Sequence, residues 1–384
     1  MLKPLLHLMF FLSGIATVLI GQVLPILSRS FGLNDLYAGF FFPAQFSGSI
    51  IGTLVSGRFA QRNDHKNAVV TGGFCFCLGI LLLTIESYAA CLSGFFILGL
   101  GVGLTLPSIN MVVVELNPER SGPALSFLNF FWGLGAIVCK PFVDAFSSET
   151  NFVGTALFLT VAIAVTTILL IFTAVQSRSH SPMETADSNS TPIWRHPVAW
   201  AIAAFNLVHV GFESGMGGWL TTYAGRLPGE MPAGWLSPTL FYFLLFVIGR
   251  GAAPILFRFL DDNKMLFLGL FIVAAGMVLA LSADSVALLG TGAALAGFGT
   301  SWLFPTNISR FSKTFGPEAT RRATPLFVAG TIGAALSTWL VGFVSDAAGG
   351  LWFGMLVLGV FSAVLIVIQT LLVLRTGAHD GMKI

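Results

Sequence analysis

Asn206, His209, Glu213 and Gly217 follow one another at spacings of three, four and four residues, which puts them on one face of a helix. Leu207, Phe212 and Leu220 flank that face. A carboxylate and an imidazole one turn apart can share a proton, accept hydrogens from a hydroxylated solute, or hold an ion pair that ties helices together. Lys140 and Asp144 are four residues apart and can pair locally. Lys140 could instead reach Glu213, a contact that would open and close in a working cycle. Asn129 precedes Lys140 on the same helix face, with Gly133 and Ala136 between them. Arg250, following Gly249, is the fourth charge set in an apolar run. It reads equally as a contact between helical bundles and as a substrate ligand.

The elements that hold these residues must be membrane helices. Of 384 residues, 55% are hydrophobic and 9% are charged, against about a quarter charged in a soluble domain. So much apolar surface needs lipid as its solvent, and a mid-membrane charge then costs at least about 2.5–3.5 kcal/mol unless it faces a cavity or a partner. A net charge of +2 offers nothing to a nucleic acid. Cys75, Cys77, Cys91 and Cys139 lie in apolar runs without the further ligands a zinc site needs, so they read as small core residues. No metal or other cofactor is expected. Gly99-x-Gly101-x-Gly103 lies in an apolar helix with no strand before it, which points to close helix packing and not to a nucleotide. No phosphate loop argues for an ATP-driven pump, and no nucleophile–base pair argues for an enzyme.

A span needs about 20 mostly apolar residues. The pattern predicts spans near 5–28, 36–58, 67–86, 89–114, 122–145 and 151–174, then near 197–222, 234–258, 264–283, 287–312, 323–346 and 349–374. The first reads as a span and not as a cleaved signal. Residues 1–174 thus form an N-terminal six-helix bundle, 175–196 a polar, flexible cytoplasmic linker, and 197–384 a C-terminal six-helix bundle. With the N-terminus inside, 15 of the 19 Lys and Arg residues fall on the cytoplasmic side, and Arg29 and Arg226 alone fall outside. Both termini are therefore expected in the cytoplasm, with the chain in the cytoplasmic (inner) membrane. The halves repeat: SGRFAQRND (56–64) matches LFRFLDDNK (256–264), LPSIN (106–110) matches FPTNI (304–308), and NPER matches GPEA before spans 5 and 11. Parallel six-span repeats are the build of a two-bundle secondary transporter. The paired prolines Pro107 and Pro305 are expected to kink spans 4 and 10.

The loop after span 2, Gly57-Arg58-Phe59-Ala60-Gln61-Arg62-Asn63-Asp64-His65-Lys66, resembles the G-x-x-x-D-R-x-G-R-R/K loop of the major facilitator superfamily. Gly57, Arg62 and Lys66 match, while Gln61, Asp64 and His65 replace the acid, the glycine and an arginine. In that family the loop latches the cytoplasmic ends of the halves, so Arg62 is implied in gating, and the missing acid weakens the latch. Gly211, Glu213, Gly218, Trp219 and Tyr223, together with LNFFWGLGAIVCKPF (128–142) and FPTN (304–307), look most like the fucose–galactose–glucose:proton symporter group. The resemblance implies twelve helices in two bundles related by a pseudo-two-fold axis, and a monomer. Proton-coupled members of that group tend to carry carboxylates in spans 1 and 4. Here Gln22 and Asn110 stand in those spans, with Glu115 only at the cytoplasmic end.

In this architecture spans 1, 4, 7 and 10 line the central path, giving Gln22, Asn110, Asn206 and Asn307, whose amides both donate and accept as sugar hydroxyls do. The expected substrate contacts are Glu213, Asn110, Gln22, Asn307, Trp219, Asn206 and Asn129. The expected coupling or gating groups are Glu213, His209, Lys140, Asp144, Arg250 and Arg62. Trp132, Trp219 and Trp302 could stack on a pyranose ring or simply pack. The expected activity is alternating-access transport of a small polar solute, a monosaccharide first, with proton coupling open. Export of hydrophobic or amphipathic compounds, an uncoupled sugar facilitator, and a non-transporting sensor or scaffold are the other readings.

Overall fold

The computed structural model describes residues 2–62, 64–116, 121–173, 193–228, 236–315 and 323–380. Every regular element among them is helical. In one compact unit run α1 (Leu2–Phe31), α2 (Asp35–Gly39), α3 (Phe41–Gln61), α4 (His65–Leu82), α5 (Tyr88–Leu116), α6 (Ser121–Phe146) and α7 (Val153–Ile171). In a second run α8 (Pro197–Ala224), α9 (Pro238–Leu256), α10 (Asp262–Leu281), α11 (Val286–Thr300), α12 (Leu303–Phe315), α13 (Thr324–Ala348) and α14 (Leu351–Asp380), preceded by a short 3-10 turn at Ile193–Arg195. Most of the expected linker, and the NPER and GPEA segments, lie outside the described residues.

Among the described residues, eleven helical stretches are long and apolar enough to cross a membrane. The chain is an integral, multi-pass membrane protein. α8, at 28 residues, is longer than most of them, but Asn206, His209 and Glu213 dilute its apolar character. Two spans are broken where the sequence suggested continuous helix. α2 and α3 are separated at Phe40, and α11 and α12 at Ser301 and Trp302. Pro305 lies in the first turn of α12, whereas α5 runs unbroken through Pro107.

Side-chain capping fixes several helix starts. Asn34, Ser237, Asp261 and Ser285 accept from the backbone N–H groups of Tyr37, Leu240, Lys264 and Leu288. The bond from the Lys264 N–H, reinforced by the Lys264 ammonium, holds the exposed Asp261 carboxyl below its ordinary range. In the degenerate loop, Arg62 is exposed after α3, while the Lys66 ammonium donates to Ile171 O (2.8 Å) and Thr173 O (2.6 Å) at the end of α7.

Small residues set the packing. A Cβ on Gly99 would lie 1.9 Å from Gln45 O, and one on Gly103 2.2 Å from Ser49 O, so α5 can approach α3 this closely only with glycine at both. Cys91 and Cys139 are buried and Cys75 and Cys77 half-buried. Large apolar side chains such as Leu54, Phe74, Phe158, Val161, Phe271 and Val278 stay exposed, the surface that lipid would cover.

Candidate functional site: polar groups at the break between α11 and α12

The charged side chains of α8 and α9 lie near the break between α11 and α12. The stripe on α8 is mostly enclosed: Asn206 and His209 are fully buried, and the Glu213 side chain is 24% exposed. His209 Nε2 lies 3.6 Å from Glu213 Oε2, an ion-pair distance longer than a hydrogen bond. On its other side His209 Nδ1 is 3.4 Å from Thr300 Oγ1, the last residue of α11. From α9, Arg250 packs its guanidinium 4.2 Å from the centroid of the Phe246 ring. Tyr242 is fully buried, and its hydroxyl has no hydrogen-bond partner among the described residues.

Arg250 has a further partner whose origin is covalent. Proline has no N–H, so Pro305 cannot bond the carbonyl four residues earlier, and its ring crowds that carbonyl. That carbonyl belongs to Ser301, and Arg250 Nε donates to it at 3.3 Å. Thr300, His209 and Glu213 make one chain of polar contacts from α11 to α8, and Arg250 on α9 makes a second to Ser301, so both end at the break between α11 and α12. Gly249 makes room for it, since a Cβ there would lie 2.2 Å from Ser301 Oγ.

The other expected residues divide into two groups. Asn206, Asn307 and Trp219 are fully buried and donate to main-chain carbonyls inside the second unit. Asn206 Nδ2 reaches Leu326 O at 2.8 Å, Asn307 Nδ2 reaches Ile202 O at 3.1 Å, and Trp219 Nε1 reaches Thr338 O at 2.8 Å. Trp302 likewise donates to Met265 O at 2.9 Å. In the first unit, the Asn110 and Asn129 amides each donate to the carbonyl one turn back, at 2.8 Å, with Asn129 exposed and Asn110 half-buried. Gln22 is buried in α1. Lys140 is buried and pairs with the exposed Asp144, the local contact the spacing allowed.

Two groups went unread in the sequence. Tyr242 sits two turns before Arg250, a helical spacing that could have flagged it. Arg310, on α12, donates to Gln369 Oε1 at 2.5 Å and to Asn307 Oδ1, with its guanidinium 5.2 Å from the Phe205 ring. Gln369, a lone amide in the apolar α14, was the available signal.

The Major Facilitator Superfamily model matches residues 6–324. The L-fucose-proton symporter of Escherichia coli (strain K12) is 28% identical, over 90% of this chain and 87% of its own. The 4-hydroxybenzoate transporter PcaK of Pseudomonas aeruginosa is 26% identical, over 88% and 84%. A crystal structure of the E. coli fucose:proton symporter superposes with a TM-score of 0.64 at 23% identity, covering 96% of this chain and 98% of that one. The chain belongs to the Major Facilitator Superfamily, whose members and fold are those of membrane transporters and not of enzymes.

Proposed function

We propose that this chain moves a small polyhydroxylated solute, a monosaccharide first, across the cytoplasmic membrane by alternating access, with Glu213 at the centre of its site. One observation carries the reading: Glu213 is a partly open carboxylate on a largely buried membrane helix, 3.6 Å from the fully buried His209. A carboxylate so placed can accept two sugar hydroxyls, and its partial opening keeps it out of contact with lipid alone. Similarity to the L-fucose-proton symporter supports the substrate class and a coupling proton. Glu213 is the group we assign to that proton, since Gln22 and Asn110 hold none. The excess of Lys and Arg on one side supports cytoplasmic termini.

A second reading has its own support. The Arg250 guanidinium would suit the carboxylate of an aromatic acid, and the 4-hydroxybenzoate transporter is nearly as similar as the sugar symporter.

Uptake into proteoliposomes separates the two. Labelled monosaccharides and 4-hydroxybenzoate are offered to wild type and Glu213→Gln, with and without an inward proton gradient. Wild type is expected to accumulate a sugar only with the gradient, and the variant to equilibrate it without accumulation. Equal, gradient-blind equilibration by both proteins would make the chain a facilitator with a structural Glu213. Uptake of the aromatic acid alone would transfer the site to the second reading.

A further inference from the structure

Arg310 is a cation in a membrane helix whose bonded partners are all neutral. Its guanidinium donates to Gln369 Oε1 on α14 and to Asn307 Oδ1 on its own helix. It also lies 5.2 Å from the centroid of the Phe205 ring on α8. No carboxylate pairs with it among the described residues. Asp262 on α10 is bonded to Lys313 at 2.6 Å, and the neighbouring Asp261 pairs with Lys264 at 3.1 Å. A charge held in a membrane without a counter-ion is costly, so its retention asks for a reason.

What a guanidinium supplies here is direction. It can only donate, so each amide that meets it must present its oxygen and turn its N–H away. Asn307 Nδ2 accordingly donates to Ile202 O on α8 at 3.1 Å, and Gln369 Nε2 to Asn263 Oδ1 in the first turn of α10 at 3.2 Å. Two chains of hydrogen bonds thus leave one cation, one ending on α8 and the other on α10. α12 is only 13 residues long and meets α11 at the break of Ser301 and Trp302. Side-chain ties therefore decide which neighbour it follows. Phe311, next to Arg310, belongs to a buried cluster with Ile193, Ile202 and Ala203, and the Trp194 ring just ahead of α8 stacks on it at 5.6 Å.

We propose that Arg310 is a positioning residue that fastens the second half of the broken span to α8, so that α12 and the helix carrying Glu213 move as one piece. The working link is the Asn307 chain, and the Gln369 chain steadies the guanidinium. This rests on the reading of Glu213 as the centre of the site, and it adds which part of the neighbouring span follows that site.

Two near-isosteric substitutions separate the chains. Asn307→Asp and Gln369→Glu each keep an oxygen for Arg310 and supply the missing counter-charge, so neither should lower the melting temperature in detergent. Asn307→Asp removes the N–H that reaches Ile202 O, whereas Gln369→Glu removes only the one that reaches Asn263. Hydrogen exchange on the full chain in lipid nanodiscs then reads the fastening without any solute. Asn307→Asp is expected to speed exchange across 303–312 about tenfold, the scale of one lost hydrogen bond, and Gln369→Glu to leave it unchanged. Arg310→Gln, a neutral amide with no fixed direction, should give the same faster exchange, and it carries the test if Asn307→Asp does not fold. Equal exchange in the two acid variants overturns the proposal, as does faster exchange in Gln369→Glu alone. Faster exchange in Asn307→Asp that comes only with a lower melting temperature would make the tie merely structural and overturns it too. In the uptake assay, Asn307→Asp should lower the maximal rate about tenfold at an unchanged half-saturating concentration, and an unchanged rate removes the positioning role. The exchange result decides the fastening even if no sugar moves, and its failure leaves the uptake reading intact.

Discussion

The α3–α5 crossing of the first unit and the α9–α11 crossing of the second are built alike and charged differently. A Cβ on Gly99 would meet Gln45 O at 1.9 Å, and one on Gly297 would meet Tyr242 O at 2.1 Å. Gly52 faces Leu100 O at 2.4 Å, and Gly249 faces Phe298 O at 3.0 Å. Matching these contacts pairs Gln45 with Tyr242, Gly52 with Gly249 and Gly103 with Ser301. The next residue along the helix is then Thr53 in one unit and Arg250 in the other. Thr53 Oγ1 turns back to Ser49 O of its own helix at 2.9 Å, while Arg250 crosses to Ser301 O at 3.3 Å. The span after the crossing continues through Pro107 in the first unit and breaks before Pro305 in the second. Close glycine packing is therefore all the fold requires of this crossing, and the charge in the second unit is surplus to it. Surplus charge in lipid is costly, and function is the reason to keep it.

The largest expected effect attacks that surplus directly. Arg250→Ala leaves the Ser301 carbonyl without its donor and takes the guanidinium off the Phe246 ring, together a loss of about 2–4 kcal/mol. Thr53→Ala removes only a local hydroxyl bond, worth about 1 kcal/mol or less. Reversible unfolding in detergent compares the two. Equal costs for the two single variants would mean that Arg250 is packing, as Thr53 is.

The shared part of the comparison predicts equality instead. Gly99→Ala and Gly297→Ala each drive a methyl into a backbone carbonyl that cannot swing away. Each should destabilise by about 1–3 kcal/mol, the ordinary cost of overpacking. If only one of them unfolds the protein early, the pairing of the crossings is wrong, and with it the alignment of Thr53 with Arg250.

These contrasts also mark what the sequence could convey. Span positions were legible because a twenty-residue apolar run has few alternatives in lipid, and His209 beside Glu213 follows from helical spacing alone. The tight packing at Gly99 and Gly103 was legible too, since little else explains three glycines at alternate positions in such a helix. The partners of the amides were not. Spacing fixes the face on which Asn206 and Asn307 lie but not which helix covers that face, and here carbonyls of Leu326 and Ile202 take their donors. The Arg250–Ser301 bond needed two facts that are 51 residues apart. Pro305 announced a freed carbonyl at Ser301, yet nothing local says which donor arrives.

The smallest effects lie in the loops that the repeat also pairs, and they test whether the charge difference extends beyond the crossings. In the first unit Lys66 donates to two main-chain carbonyls that end α7. In the second, Lys313 bonds the Asp262 carboxylate at 2.6 Å, with the lysine side chain 66% exposed. Both lysines hold helices together, but one serves the backbone and the other a charge. Surface pairs are worth about 0–1 kcal/mol and fade once salt shortens the screening length to about 3 Å at 1 M. Capping bonds at a helix C-terminus are of similar size, yet part of their value is hydrogen bonding, which salt does not remove. Lys313→Met should therefore lower the melting temperature in low salt and have no effect in 1 M salt. Lys66→Met should keep a measurable loss in both. If the two variants respond identically to salt, Lys66 acts as a point charge as Lys313 does. The unit-to-unit difference would then be confined to the crossing where Arg250 replaces Thr53.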